Sequence, residues 1–230
     1  MEQWACLLKY MDKFTNGDIT RLISFQVSWK TWCLTCNHGS ERNEISAELM
    51  VRLQPVTDAS PYHPIRVSLE EKLNESFDTE LLEGVNQYDC PECKVKRNGR
   101  RQARLRAAPE FLHIVISRSY WDTQRNERLK VNHVIEYPQI LDLQVLQPYC
   151  SLNDRYELIG VLEHQSQVSE SGHYTAVLRQ PTPAAPDGAA APDGAGDVAP
   201  GRSSGQLSWW KFNDSQVGPV KGPGTVVSIG

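Results

Sequence analysis

Apolar side chains recur at Trp4, Leu7, Leu8 and Met11, the i, i+3, i+4, i+7 spacing of one helical face. Residues 3–13 therefore read as an amphipathic helix whose stripe must pack on something else. A second helix opens at Ser68-Leu69-Glu70-Glu71, where the serine can cap the N3 amide and Glu71 can reach back, with Leu69, Leu73 and Phe77 on one face. Downstream the period changes. Phe111–Ile116, Tyr156–Leu162, Tyr174–Leu178 and Leu207–Phe212 are short, rich in β-branched and aromatic residues, and bounded by turn formers, which predicts strands and a C-terminal half that is mainly sheet. Gln180–Gln206 interrupts that sheet with Pro, Ala, Gly and Asp, and Pro-Asp-Gly-Ala occurs at Pro186 and again at Pro192. Such a segment buries too little apolar surface to offset its chain entropy, so it is expected to be a disordered excursion between two strands that still pair.

At 230 residues, 40% hydrophobic and 23% charged, the chain can bury one sizeable core or two small ones. No apolar run approaches the roughly 18 residues of a membrane span, and Met1-Glu2-Gln3-Trp4 is acidic where a secretory signal is basic. The expectation is a soluble intracellular protein, in cytoplasm or nucleus, with no membrane partner. A net charge of −4 with mixed signs argues against bulk capture of nucleic acid. One segment runs the other way: Lys94, Lys96, Arg97, Arg100, Arg101, Arg104 and Arg106 put seven cations into thirteen residues. A nucleic-acid-binding zinc ribbon is thus the rival reading. The run lacks interleaved aromatics for base stacking, and a hairpin turn at Arg97-Asn98-Gly99-Arg100 with solvated flanks accounts for it equally.

Four of the six cysteines form two tight pairs, Cys33-Leu-Thr-Cys36 and Cys90-Pro-Glu-Cys93. Two such turns facing each other supply four thiolates at about 2.3 Å around Zn²⁺, whereas bonding within one turn closes a strained small loop. Four thiolates leave no position for water, so this zinc would be structural. Cys6 and Cys150 read as ordinary semi-buried residues. His38, two residues past Cys36, could replace one thiolate but reads as a bystander, and His63, His113 and His133 read as structural or exposed.

Far downstream stand Gly172-His173-Tyr174 and Phe212-Asn213-Asp214-Ser215. A thiol with pKa near 8.5 needs a neighbouring imidazole to become a thiolate, and that imidazole needs its tautomer held. The order of these boxes behind two cysteine knuckles resembles the ubiquitin-specific protease family of papain-like deubiquitinating cysteine peptidases, almost end to end. Ser68-Leu69 through Leu82-Glu83-Gly84-Val85-Asn86-Gln87-Tyr88, Pro109–Arg118, Lys130 through Tyr137-Pro138 to Leu143, Tyr156–Leu158, His164 and Trp209–Ser215 carry the likeness.

That resemblance implies a truncated α+β papain-like fold: a remnant thumb helix over 1–14, zinc-tipped β fingers over 15–108, and an antiparallel β palm over 109–179 and 207–230 around the 180–206 insert. It implies thiol-dependent cleavage of isopeptide bonds at the ubiquitin C-terminus, with ubiquitin or ubiquitinated proteins as partners. His173 would be the base, and Asn213, or with less support Asp214, would orient it. Gly172 would let a substrate backbone pass close, Tyr174 and His164 would contact substrate, and the loop His164–Ser171 would close over ubiquitin's tail.

The chain departs from the family at both ends. No Gly-Asn-x-Cys box precedes the first knuckle, and Glu2–Leu8 resembles a later Gln-Gln-Asp-Ala helix with Trp4 in place of the aspartate. The chain is therefore expected to begin downstream of its nucleophile. Cys6, inside the apolar stripe, does not substitute. Pro219–Gly230 lacks the usual closing aromatic strand, and Ser117 and Ser119 replace a lysine and a phenylalanine of the palm pattern. The isolated chain is expected to be inert, either a fragment of a deubiquitinase or a pseudo-enzyme that still grips ubiquitin.

Overall fold

Two helices open the chain, α1 (Glu2–Thr15) and α2 (Asp18–Ile23). The predicted amphipathic helix is thus present and two residues longer at its C-terminus. It stops where Asn16 (φ 51°) and Gly17 (φ 81°) turn left-handed, and the Gly17 amide donates back to the Asp12 carbonyl at 3.2 Å. This is the six-residue closure by which a helix satisfies its last carbonyls. The Asp12 carboxylate then accepts from the Thr20 amide at 3.1 Å, which fixes α2 against α1.

The computed structural model describes residues 2–55, 65–146, 149–152, 154–165, 172–181 and 207–223, and for 2–7, 181 and 207 the backbone alone. His63, the Cys6 side chain, most of the predicted insert and most of the predicted closing loop lie outside the described residues. The chain divides into two compact units, Met1–Leu158 and Ile159–Gly230. Among the described residues, no helix is long and apolar enough to cross a membrane.

In the first unit the strands follow as β1 (Phe25–Cys33), β2 (Gly39–Ser46), β3 (Leu49–Arg52), β4 (Arg66–Ser68), then helix α3 (Leu69–Phe77). After it come β5 (Glu80–Leu82), β6 (Tyr88–Cys90), β7 (Val95–Arg97), β8 (Gly99–Ala107), β9 (Ile114–Ser117), β10 (Ser119–Asp122), β11 (Glu127–Lys130), β12 (Val134–Glu136), β13 (Ile140–Asp142) and β14 (Arg155–Glu157). The largest sheet has the order β2-β1-β8-β5. Its base is apolar: Phe25, Val27, Ala103 and Leu105 pack with Leu69, Leu73 and Phe77 of α3. The serine cap works as expected, Ser68 accepting from the Glu71 amide. Toward its far end the same sheet runs out of core: β2 is exposed along almost its whole length, as is β7 of the separate β6–β7 hairpin.

Three strand expectations need correction. The strand expected over 111–116 begins only at Ile114, because Phe111 donates its amide to the Leu22 carbonyl and β9 pairs in parallel with β3 from Leu49↔Ile114 onward. The single strand over 156–162 is two, since β14 pairs with β13 while the next strand takes a partner in the second unit. Arg97-Asn98-Gly99-Arg100 is no hairpin turn: β7 pairs with β6, and β8 with β1 and β5. Gly99 makes this crossing possible, for an added Cβ would lie 2.9 Å from Tyr88 Cβ and 3.1 Å from the Trp32 carbonyl.

The second unit is one antiparallel sheet in the order β15 (Gly160–Gln165), β16 (His173–Pro181), β17 (Leu207–Asn213) and β18 (Gln216–Val220). The strands on either side of the 182–206 segment do pair, up to Pro181↔Leu207. Its last strand, β18, falls where no strand was expected.

Candidate functional site

His173 opens β16 and Asn213 closes β17. The pair Ala176↔Phe212 sets these strands so that His173 and Asn213 fall two rungs apart on one face, close enough for diagonal side chains to meet. They do: Asn213 Oδ1 hydrogen-bonds His173 Nε2. An amide oxygen only accepts, so Nε2 carries the ring proton and Nδ1 keeps its lone pair. That is the tautomer a general base needs.

Asp214 occupies the two-residue turn between β17 and β18 with φ 50°, a left-handed conformation that Asx residues tolerate. Its carboxylate stands 3.9 Å from Nε2 and is 82% exposed, against 42% for the His173 side chain. At that distance and exposure it makes a screened contact and no hydrogen bond. Asn213 is the residue that orients the ring.

Gly172 directly precedes His173 and is exposed. Tyr174 and His164 face each other across β16 and β15, ring centroids 4.6 Å apart. Alternation along β16 sends Tyr174 to the side of the sheet opposite His173. The pleat therefore separates the His164–Tyr174 pair from the His173–Asn213 pair. On the His173 face, pattern reading missed Thr175, 2% exposed, whose hydroxyl donates to Glu163 at 3.3 Å. The two-residue offset from His173 was its signal.

The four paired cysteines come together in the first unit, all their sulfurs within 4.8 Å of one another. Cys36 and Cys90 Sγ are 3.5 Å apart, and Cys33 and Cys93 Sγ 4.0 Å. The two knuckles are built alike. The Asn37 amide donates to the Cys33 carbonyl at 3.0 Å and the Lys94 amide to the Cys90 carbonyl at 2.8 Å. Asn37 (φ 60°) and Lys94 (φ 55°) both turn left-handed to close them. Backbone amides also aim at the sulfurs: Thr35 at Cys33 and Cys93 at Cys90, each 3.4 Å. The knuckles are tied by the Leu34 amide donating to the Asn98 carbonyl at 2.9 Å.

A tetrahedron of sulfurs about 2.3 Å from a metal has edges of about 3.8 Å, and the two sulfur pairs bracket that value. The donor chemistry also asks for a cation. The Cys33 thiol is pulled down to about 6, first by the Cys36 backbone amide, whereas Cys93 is pushed up to about 12, first by the Cys36 side chain. Thiolates so crowded repel one another unless a positive ion stands among them. His38 contributes its backbone: its carbonyl accepts from the Cys33 amide at 2.9 Å, and its amide hydrogen-bonds the Cys36 sulfur.

Cys150 lies in the core of the first unit, where burial pushes its thiol up. The basic run is split by the pleat and by pairing. Arg101 stacks 4.7 Å over Trp29 and pairs with Glu80 at 2.9 Å, and Arg106 pairs with Glu41 at 2.8 Å.

A family model described as ubiquitin carboxyl-terminal hydrolase matches residues 1–228. Ubiquitin carboxyl-terminal hydrolase 48 of Danio rerio is 26% identical over 216 residues, covering 94% of this chain and 18% of that protein. Ubiquitin carboxyl-terminal hydrolase 26 of Oryza sativa subsp. japonica is 25% identical over 202 residues, 86% of this chain and 16% of that one. Ubiquitin carboxyl-terminal hydrolase 47 of Drosophila melanogaster is 30% identical over 135 residues, 57% and 8% respectively. The chain thus spans less than a fifth of the length of these curated relatives. With a match running from residue 1 to residue 228, the chain belongs to the ubiquitin carboxyl-terminal hydrolase family.

Proposed function

We propose that this chain is the histidine-bearing, ubiquitin-gripping part of a thiol-dependent deubiquitinase, with zinc held by Cys33, Cys36, Cys90 and Cys93. The hydrogen bond from Nε2 of His173 to Asn213 carries the reading, because it leaves Nδ1 as the acceptor for a thiol proton. In the reaction, Nδ1 takes the proton from a cysteine thiol and the thiolate attacks the carbonyl at the ubiquitin C-terminus. The imidazolium returns its proton to the leaving lysine amine, and water then releases the acyl group. Gly172 before the base leaves room for an extended backbone to pass. Bound zinc supplies structure and no catalysis, since four thiolates fill its tetrahedron.

Four cysteines are assigned to the metal cluster, Cys150 is buried with a raised thiol, and Cys6 falls within the apolar stripe of the first helix. A buried neutral thiol is a poor nucleophile. The 230-residue chain by itself is therefore proposed to bind ubiquitin without hydrolysing it, since nucleophilic attack and oxyanion stabilisation are each worth several kcal/mol in acyl transfer.

Ubiquitin carrying a C-terminal electrophile tests both halves. The expected result is reversible complex formation, seen as ubiquitin amide shifts on titration, with no covalent adduct. Failure of ubiquitin to bind would remove the gripping role. An adduct that persists in Cys6→Ala but disappears in His173→Ala would reveal an active thiol that this reading omits.

A further inference from the structure

The four-thiol cluster is asymmetric in a way that a purely structural metal site does not require. Cys33 and Cys90 are fully buried and Cys93 is partly so, while Cys36 is the one exposed cysteine among those described. Its sulfur stands 3.5 Å from that of Cys90 in the other knuckle, closer than the 4.0 Å between Cys33 and Cys93. An accessible thiolate with a second thiolate in contact is the arrangement of an attacking and a resolving cysteine.

We infer that Cys36 is an oxidation site for hydrogen peroxide and that Cys90 resolves it, so that oxidation ejects the metal and leaves a Cys36–Cys90 disulfide between the two knuckles. The inference rests on the zinc reading above. The Cys36 thiolate attacks one peroxide oxygen; an S–O bond forms, the O–O bond breaks, and hydroxide leaves, giving a sulfenic acid. The Cys90 thiolate then attacks the Cys36 sulfur; the S–S bond forms and a second hydroxide leaves. Two thiolates have lost two electrons, the peroxide has gained them, and two protons from solvent make two waters. Cys33 and Cys93 alone are two ligands where zinc takes four, so the ion departs and these thiols take up protons.

The product keeps the knuckles joined. Cys36 and Cys90 are 54 positions apart in sequence, so the disulfide closes the loop that the metal would otherwise close. This end of the β2-β1-β8-β5 sheet and the β6–β7 hairpin have almost no core to fall back on, β2 and β7 being exposed. The tip thus exchanges one cross-link for another of different geometry, and thiol reductant with zinc restores the first.

The test uses the wild-type chain, purified with zinc and its metal content measured before hydrogen peroxide is added stepwise. Expected are the loss of one zinc per chain to a chromophoric chelator for each peroxide consumed, a Cys36–Cys90 cross-linked peptide after non-reducing digestion, and a 1,3-diketone adduct on Cys36 when the trap is present. Zinc that stays bound through peroxide treatment, a disulfide joining a different pair, or a trap adduct on another cysteine overturns this inference alone. Protein that holds no zinc at the outset overturns it together with the zinc reading.

Discussion

Asn213 and Asp214 are neighbours in the chain with different chemical standing. Asn213 ends a strand, so its side chain points from the pleat onto His173, whereas Asp214 sits in the turn and faces water. Asn213→Ala should therefore release the ring, and the imidazole nitrogen signals of His173 should move from one tautomer toward a mixture. Asp214→Ala should leave those signals unchanged; the opposite pattern would make the aspartate the orienting group. His133 offers a test by pH. Burial holds it below its ordinary 6.5, the nearby Arg118 and Lys72 charges act the same way, and a hydrogen bond to the Gln54 backbone opposes them. The unfolded chain takes up that proton near pH 6.5 and the folded chain only at lower pH. Stability is therefore complete above 6.5 and declines as pH falls through the window beneath it. Denaturant midpoints from pH 8 to pH 5 should show a smaller decline in His133→Gln than in wild type.

Among the elements, α3 and the knuckles are held by opposite means. Leu73 is wholly buried between α3 and the base of the large sheet, so Leu73→Ala should cost about 2–5 kcal/mol in urea unfolding. Leu162→Ala, at a site 73% exposed, should stay within about 0.5 kcal/mol. At the knuckle end backbone geometry takes over from packing. A methyl group on Gly99 would press on the Tyr88 Cβ and on the Trp32 carbonyl, neither of them the far end of a flexible side chain. Gly99→Ala should lower stability by about 1–3 kcal/mol and weaken zinc retention against a competing chelator. Unchanged values for both would show that β6 can yield. These elements were unequally legible in sequence. Helices α1 and α3 were readable because an apolar face repeats within a few residues and the cap at Ser68 is a local hydrogen bond, whereas the six-residue α2 carried no such expectation. Strand β2 reads Gly-Ser-Glu-Arg-Asn-Glu-Ile-Ser and is an exposed edge, so it carries no alternation. Strand β8 reads as a charge run because the partners of Arg101 and Arg106, Glu80 and Glu41, arrive from other strands.

For the molecule as a whole, the cysteine cluster lies in the first unit and the His173–Asn213 pair in the second. Zinc-peptide sites of this kind bind with on the order of 10 kcal/mol, which is the largest single contribution available to a tip so poor in core. Chelating the metal should therefore open the β6–β7 hairpin and the 34–37 turn to amide exchange, while the His173 imidazole signals stay as they were. Simultaneous loss of both would mean that the two units unfold as one. Cys90→Ser should reproduce the chelated state, and a mutant that keeps full zinc content would refute the four-thiolate assignment.

Sequence alone determined whatever depends on neighbours along the chain. The helix stripes, the two Cys-x-x-Cys turns, the pairing of strands across the Pro/Ala/Gly/Asp segment, and the histidine and asparagine boxes with their family likeness are all of this kind. Tertiary structure decided what depends on residues far apart. It set two knuckles 54 to 60 positions apart around one point, chose Asn213 over Asp214 as the partner of Nε2, and put His164 and Tyr174 on the opposite face from His173. The physical reason is the same in each case. A side chain's type and spacing are local, but a metal tetrahedron, a tautomer and a sheet face are fixed only when strand register brings distant backbones together.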